Sequence, residues 1–256
     1  LSVEYQNNII EVINVTKKYG NLIVSRDLSF SIKKGEICSI VGGSGCGKST
    51  ILRQMIKLEP PTEGKILVNG EDIFKYSEQE DIEYKKKFGV SFQGGGLFAS
   101  MTLAENIALS LQKSTNLSED IISDIVDIKL DSVGLSGFQS YLPSEISGGM
   151  KKRAALARAM ALDPEILFFD EPSSGLDPIT SAEMDELIKE LNKSLGTTMI
   201  IISHDLQSVV SISDHIIMLD KSVKGKIAEG TVGELKGNKE NELVYNFFNR
   251  KLSRQT

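Results

Sequence analysis

Cysteine and histidine are scarce in this chain, two of each in 256 residues. Cys38 and Cys46 do not have a metal-binding spacing, and a reduced, cytosolic chain is the expectation. Long apolar runs are missing as well. No stretch approaches the ~18 residues that a membrane-spanning helix requires. Nothing near Leu1 reads as a signal peptide, and a first residue other than Met points to trimming or processing. Positive charge is not in excess: a net charge of −6 argues against nucleic acid as the main partner while leaving room for a local basic patch. Internal repeats and low-complexity tails are absent too. What is present suits a soluble globular protein, 40% hydrophobic and 25% charged, with enough chain for one large domain or two smaller ones and an ample core.

Short apolar runs and turn residues organise the first third. Residues 9–15, 27–32 and 36–41 read as strands, with Lys33-Lys34-Gly35 as a hairpin turn. A helix is expected over 48–58, broken by the PPTEG stretch at 60–64, and further strands at 65–68 and 88–92. The middle turns helical. Thr102 and Glu105 form a capping-box pattern for a helix reaching Leu111, Ser118 opens a second helix that Gly134 stops, and Ser147 caps a third. Residues 165–170 then form an apolar run ending in acid, the mark of a buried parallel strand. Asp177-Pro178 opens a helix stopped by Gly196, and strands follow at 197–203, 215–219 and 225–229. The pattern is an α/β core interrupted by a mainly helical insertion. Leu243, Val244, Phe247 and Phe248 fall on one side of a last helix over 241–252, expected to pack on its own domain.

Two places in this chain suit phosphate. GGSGCGKST, residues 42–50, matches G-x-x-x-x-G-K-[ST] between a strand and a helix. Gly42, Gly43, Gly45 and Gly47 let the backbone wrap phosphate oxygens, with Ser44, Cys46 and Thr50 in the same cradle. Lys48 is expected to reach the outer phosphates and Ser49 to ligate Mg²⁺. The second place is EISGGMKKRAALARAMAL, residues 145–162, where a serine and two glycines open a helix whose exposed amides favour an anion.

Acid, histidine and amide groups complete the chemistry. The strand ending in Asp170 presents Asp170 for Mg²⁺ and Glu171 as the base or positioning group for an attacking water. His204 follows a strand at its C-terminal end, where ligands bind in open α/β sheets, and is expected at the γ-phosphate. Gln93, before Gly94-Gly95-Gly96, is expected to reach Mg²⁺ or the water beside a flexible joint. Tyr19 could stack on a purine or belong to the core. His215, at the start of a late strand, reads as structural. The guanine-reading N-K-x-D pattern is missing, since Asn192-Lys193 continues as Ser194-Leu195, so the nucleotide is expected to be ATP.

Taken in order, residues 42–49, Gln93, Ser147-Gly148-Gly149-Met150, Asp170-Glu171, residues 174–177 and His204 resemble the motifs of an ABC ATPase over essentially the whole chain. The resemblance implies a P-loop NTPase fold: a RecA-like core (1–95 and 162–237), an antiparallel β subdomain, an inserted helical subdomain (96–161) and a C-terminal helix (238–256). It also implies a head-to-tail homodimer. The P-loop of one copy and Ser147, Gly148 and Gly149 of the other clamp one ATP, with Asp177 on the inter-subunit loop. Met150, where most such ATPases have Gln, followed by Lys151-Lys152-Arg153, is similar to the Mla-type, MCE-associated group that transports phospholipid in bacteria, although the basic triplet could be a solvated face.

That narrower likeness implies a membrane-permease dimer, an MCE-domain protein and in some members a STAS-domain regulator, with this subunit peripheral on the cytoplasmic face of the inner membrane and no nucleic acid bound. Leu97, Phe98 and Met101 would then line the permease groove, or else belong to the core. The competing readings are an ABC ATPase for another substrate, one acting on nucleic acid or ribosomes, and a non-hydrolysing scaffold. The intact set Lys48, Asp170, Glu171 and His204 argues against the last.

Overall fold

The computed structural model describes residues 7–250. Its contacts divide the chain into two compact units, one of residues up to Glu78 together with those from Ile202 onward, the other of Gln79–Ile201. The expected ends at 1–6 and 251–256, including the last residues of the C-terminal helix, lie outside the described residues.

The first unit opens with an antiparallel sheet. β1 (Asn8–Tyr19) pairs with β2 (Leu22–Lys33) on one side and β4 (Glu63–Val68) on the other, and β5 (Glu71–Asp72) closes the order β2-β1-β4-β5. Ile10 lies opposite Val68, and Val12 opposite Phe30 and Ile66. All of these are buried, as cross-strand pairs on a core-facing side should be. β3 (Ile37–Gly42) is buried at every position and pairs in parallel with β9 (His215–Asp220), which pairs antiparallel with β10 (Gly225–Gly230). The Lys33-Lys34-Gly35 turn is therefore not a hairpin. β2 and β3 belong to different sheets, and the turn carries the chain from one to the other. Around β3 and β9 pack α1 (Lys48–Met55), α7 (Leu206–Ile212), α8 (Val232–Gly237) and α9 (Glu242–Phe248). Val244 and Phe248 of α9 join Val41, Val209, Ile216, Met218 and Leu235 in one apolar cluster, so the tail packs on its own unit. Leu243 points away, 43% exposed.

The second unit begins with α2 (Glu78–Lys86), a helix the sequence does not announce, because it is polar on all sides and buries only Tyr84. β6 (Phe88–Ser91) pairs in parallel with β7 (Ile166–Asp170), which has β8 (Thr198–Ile202) on its other side. Between β6 and β7 run α3 (Leu103–Ser114), α4 (Glu119–Ser132) and α5 (Gly148–Ala159), and α6 (Pro178–Leu195) precedes β8. Thr102 and Glu105 form the expected capping box, whereas Ser118 makes no side-chain cap bond. Gly89 has to be glycine: a Cβ there would lie 2.0 Å from the Ala159 carbonyl oxygen at the end of α5.

Asn106 organises the loop that follows the glycine joint. It is fully buried. Its Oδ1 accepts from the Phe98 amide at 2.7 Å, and its Nδ2 donates to the Phe98, Met101 and Thr102 carbonyls at 3.1, 3.0 and 2.9 Å. Buried polar atoms left without partners cost about 1–3 kcal/mol each. Asn106→Ala is therefore expected to lower unfolding free energy by roughly 2–3 kcal/mol in urea titrations. A loss below about 0.5 kcal/mol, the range of an ordinary surface change, would remove this residue from the account.

Candidate nucleotide-binding site

In the first unit, β3 carries the chain into Gly42, whose φ is +145°. A Cβ at that position would sit 2.2 Å from the Leu219 carbonyl oxygen, so only glycine turns here. Gly45 and Gly47 continue in left-handed backbone, φ +78° and +100°, and Gly47 caps α1 without a side chain. At Gly43 and Gly45 a Cβ would meet nothing within 4 Å: the face of the loop is open. Lys48 lies across it, its ammonium donating to the Gly42 and Gly43 carbonyls at 2.8 and 3.1 Å. Ser49 and Thr50 occupy the first turn of α1, both partly exposed. Ser44 is exposed, but Cys46 is buried. Burial pushes its thiol up, against the pull of the neighbouring Lys48.

Tyr19 is not core. It is 46% exposed and stands beside α1. Its hydroxyl donates to Glu59, a bond that leads in raising its pKa, and it also meets the Thr50 side chain. The Lys17 ammonium lies 5.0 Å from the ring centroid. The structure thus brings Tyr19 to the helix that follows the P-loop. His204 lies just after β8 and is exposed, and Asp205 caps α7 by accepting from the Gln207 amide at 2.9 Å.

In the second unit, Ser147 caps α5 by accepting from the Met150 amide at 3.2 Å. Ser147 and Gly148 are exposed, while Gly149 is half-buried: a Cβ there would come 2.7 Å from Thr180 Cγ2. Thr180 in turn donates its hydroxyl to Asp177 at 2.6 Å, and the Asp177 carboxylate accepts from the Ile179 and Thr180 amides at 3.0 and 3.1 Å. Those bonds, the Thr180 hydroxyl first, hold the exposed Asp177 below the ordinary carboxylate value. The serine–glycine helix start and Asp177 are thereby assembled into one surface through Thr180. Nothing in the structure explains Met150 in place of glutamine.

Asp170 ends β7, and Glu171 follows in left-handed backbone, φ +55°. A non-glycine residue in that region is strained, and such strain collects at functional sites. Gln93 is exposed at the start of the glycine joint. The residue that connects these groups is Lys152, on α5. Its ammonium donates to the Gln93 carbonyl at 2.5 Å and to the Glu171 carbonyl at 3.2 Å. Burial lowers its pKa, opposed by the charges of Glu171 and Asp170. Six residues further along the helix, Arg158 donates to the Gly96 carbonyl and lies 5.4 Å from the centroid of the Phe98 ring. Arg153 pairs with Glu183 at 2.9 Å. The basic triplet is therefore more than a solvated face: one side of α5 grips the joint at 93–98. Phe98 itself is 48% exposed, outside the core. The sequence gives Lys152 a charge and a helix position, but not that its side chain turns inward to two carbonyls remote in the chain.

The chain is similar to known proteins along most of its length. The family described as ABC transporter matches residues 25–174. The intermembrane phospholipid transport system ATP-binding protein MlaF of Haemophilus influenzae is 44% identical over 229 residues, 89% of this chain and 86% of that one. MlaF of Escherichia coli K12 is 40% identical over 232 residues, 90% and 85% of the two chains. Among solved structures, the dimeric post-hydrolysis state of the ATP-binding cassette MJ0796 with ADP and Pi superposes with a TM-score of 0.77 at 30% identity, covering 87% of this chain and 98% of that one.

Hydrogen bonds to a charged donor contribute about 1.5–3 kcal/mol. If Lys152 holds the Gln93 joint and the Glu171 backbone in register, Lys152→Met should lower kcat for ATP about 10- to 100-fold with little change in KM, and Lys152→Arg should recover much of it. Steady-state kinetics of both variants decide the point, and an unchanged kcat in Lys152→Met would refute it.

Proposed function

Because the chain belongs to the ABC transporter family, we propose that it is the ATP-hydrolysing subunit of a bacterial phospholipid transporter of the Mla type, acting as a homodimer on the cytoplasmic face of the inner membrane. The observation that carries the dimer is the helix start at Ser147-Gly148, capped, exposed and placed with Asp177, in a chain that already owns a phosphate cradle. A P-loop covers one side of a triphosphate. A second helix N-terminus, bare enough for close approach, suits the other side. The likeness to two MlaF proteins supports phospholipid as the cargo.

In this reading the open backbone of residues 42–50 binds the triphosphate. Lys48, now resting on the Gly42 and Gly43 carbonyls, exchanges them for phosphate oxygens. Tyr19 offers its ring to the adenine. Ser49, Gln93 and Asp170 are the residues that would hold Mg²⁺, and their hydroxyl, amide and carboxylate oxygens are the hard donors that ion selects. The Mg²⁺ that accompanies ATP neutralises charge on the phosphates. Glu171 takes the proton of the attacking water, and His204 contacts the γ-phosphate. Ser147, Gly148, Gly149 and Asp177 serve the nucleotide of the opposite copy. The closed pair persists while both copies hold the same γ-phosphate, and hydrolysis removes that differential contact.

None of the described helices is long and apolar enough to cross a membrane. The membrane partner in this reading is a permease dimer, gripped at the exposed Phe98 with Leu97 and Met101, and joined by an MCE-domain protein and, in some assemblies, a STAS-domain regulator. No nucleic acid takes part. The test is purification of the assembly from membranes through a tag on this chain. A permease and bound phospholipid are expected to copurify, and Phe98→Ala is expected to lose the permease while keeping basal ATP turnover. Recovery of a sugar- or peptide-binding protein instead, or of no membrane partner, would overturn the lipid reading.

A further inference from the structure

The beginning of β3 lies at the other end of that strand from the phosphate cradle, and ligand-type side chains meet there. Glu36 and Cys38 are two residues apart, a spacing that puts side chains on one face of an extended chain. His215 is the direct partner of Cys38 across the parallel β3–β9 pair. One ligand atom from each of Glu36, Cys38 and His215 falls within 4.8 Å of the others. His215 Nδ1 is 3.2 Å from Glu36 Oε1, and its Nε2 is 3.1 Å from Glu229 Oε1 on β10, a carboxylate that Lys226 also holds.

We propose that Glu36, Cys38 and His215 form a site for a borderline-soft divalent transition metal of the zinc class, with Glu229 as the outer carboxylate that orients the imidazole. The donor set selects the metal. Thiolate, imidazole and carboxylate together suit Zn²⁺, whereas Mg²⁺ and Ca²⁺ take oxygen donors alone. Three protein donors leave a fourth tetrahedral position for water. A metal-binding imidazole almost always gives its second N–H to a carboxylate or carbonyl, which fixes tautomer and ring plane, and the His215–Glu229 pair supplies that contact. Cys38 is buried, but the His215 and Glu36 side chains keep 19% and 14% of their surface, so an ion has a way in. The site is separate from the nucleotide. Cys38 to Gly42 covers most of β3, roughly 13 Å at ~3.3 Å per residue.

The ion competes with protons. Hydrogen bonds to Cys38, Glu229 and Glu36 push the His215 ring up to about 12, and Glu234 at the start of α8 lies within its field. Burial pushes the Cys38 thiol up to about 11. Because the thiolate and the neutral imidazole are the forms that bind a metal, affinity is expected to rise with pH. Glu36 and His215 stand 179 residues apart in sequence, which is why the cysteine spacing alone gives no hint of the cluster.

The full-length protein, stripped with chelator and titrated with Co²⁺ alone, tests the proposal. One Co²⁺ per chain is expected, with a thiolate-to-cobalt charge-transfer band in the near ultraviolet. Cys38→Ser should lose the band and Cys46→Ser should keep it. Glu229→Gln should weaken affinity about 10- to 100-fold while keeping the band at saturation. If Cys38→Ser does not fold, His215→Gln provides the same comparison. Absence of the band in the wild-type protein, or its survival in Cys38→Ser or His215→Gln, would show that the cluster is an imidazolium clasped by two carboxylates and not a metal site. The result does not depend on nucleotide, so it stands or falls separately from the transporter reading.

Discussion

Phosphate gripped by backbone amides demands a turn that side chains do not crowd, and that demand shapes both units of the protein. In the first, Gly42 takes a φ of +145° under the Leu219 carbonyl, and the loop then stays left-handed at Gly45 and Gly47. β3 can deliver this loop because every one of its residues is buried and held by β9. In the second, Ser147 caps α5 and leaves Gly148 bare. The two glycine-rich helix starts satisfy the same electrostatic requirement, positive field from unpaired N–H groups aimed at an anion. A single nucleotide shared between two copies, as proposed above, would give both of them a use.

α5 has a second role besides presenting that helix start. Its Lys152 and Arg158 reach the carbonyls of Gln93 and Gly96, and Lys152 also reaches the carbonyl of Glu171. The helix proposed to face a neighbour's phosphate is thus bonded to the strained residue expected to position water and to the glycine joint expected to sense occupancy. A displacement of the joint has a direct mechanical route to the surface on which a second copy would sit. Asn106 fixes the far side of that loop through the Phe98, Met101 and Thr102 backbone.

Much of this was legible in the sequence because the signals are local. β7 and β8 are short apolar runs, the Thr102–Glu105 capping box and the Asp177-Pro178 start are spelled out within four residues or fewer, and the P-loop announces itself between a strand and a helix. Where pairing is remote, local reading misled. Lys33-Lys34-Gly35 has the composition of a hairpin turn, but the neighbours that β2 and β3 choose are β1 and β9. α2 lacked an apolar stripe to detect, since Tyr84 alone is buried. Lys152 looked like part of a charged surface, and His215 like an isolated strand histidine, because the carbonyls and carboxylates that give them meaning come from elsewhere in the chain. The sequence alone allows Tyr19 either a core or a ring-stacking place, and its exposure excludes the core.

The central claim is that each reaction centre is built from the Lys48 loop of one copy and the Gly148 helix start of the other. Mixed dimers test it most directly, one chain carrying Lys48→Ala and its partner Gly148→Asp, both in a Glu171→Gln background that arrests hydrolysis. Either altered chain paired with itself should trap no ATP. The mixed pair keeps one Lys48 and one Gly148 on opposite chains, and the account predicts one trapped ATP per dimer. No trapped ATP in the mixed pair would mean that Lys48 and Gly148 of the same chain serve the same nucleotide, and the shared site would be contradicted.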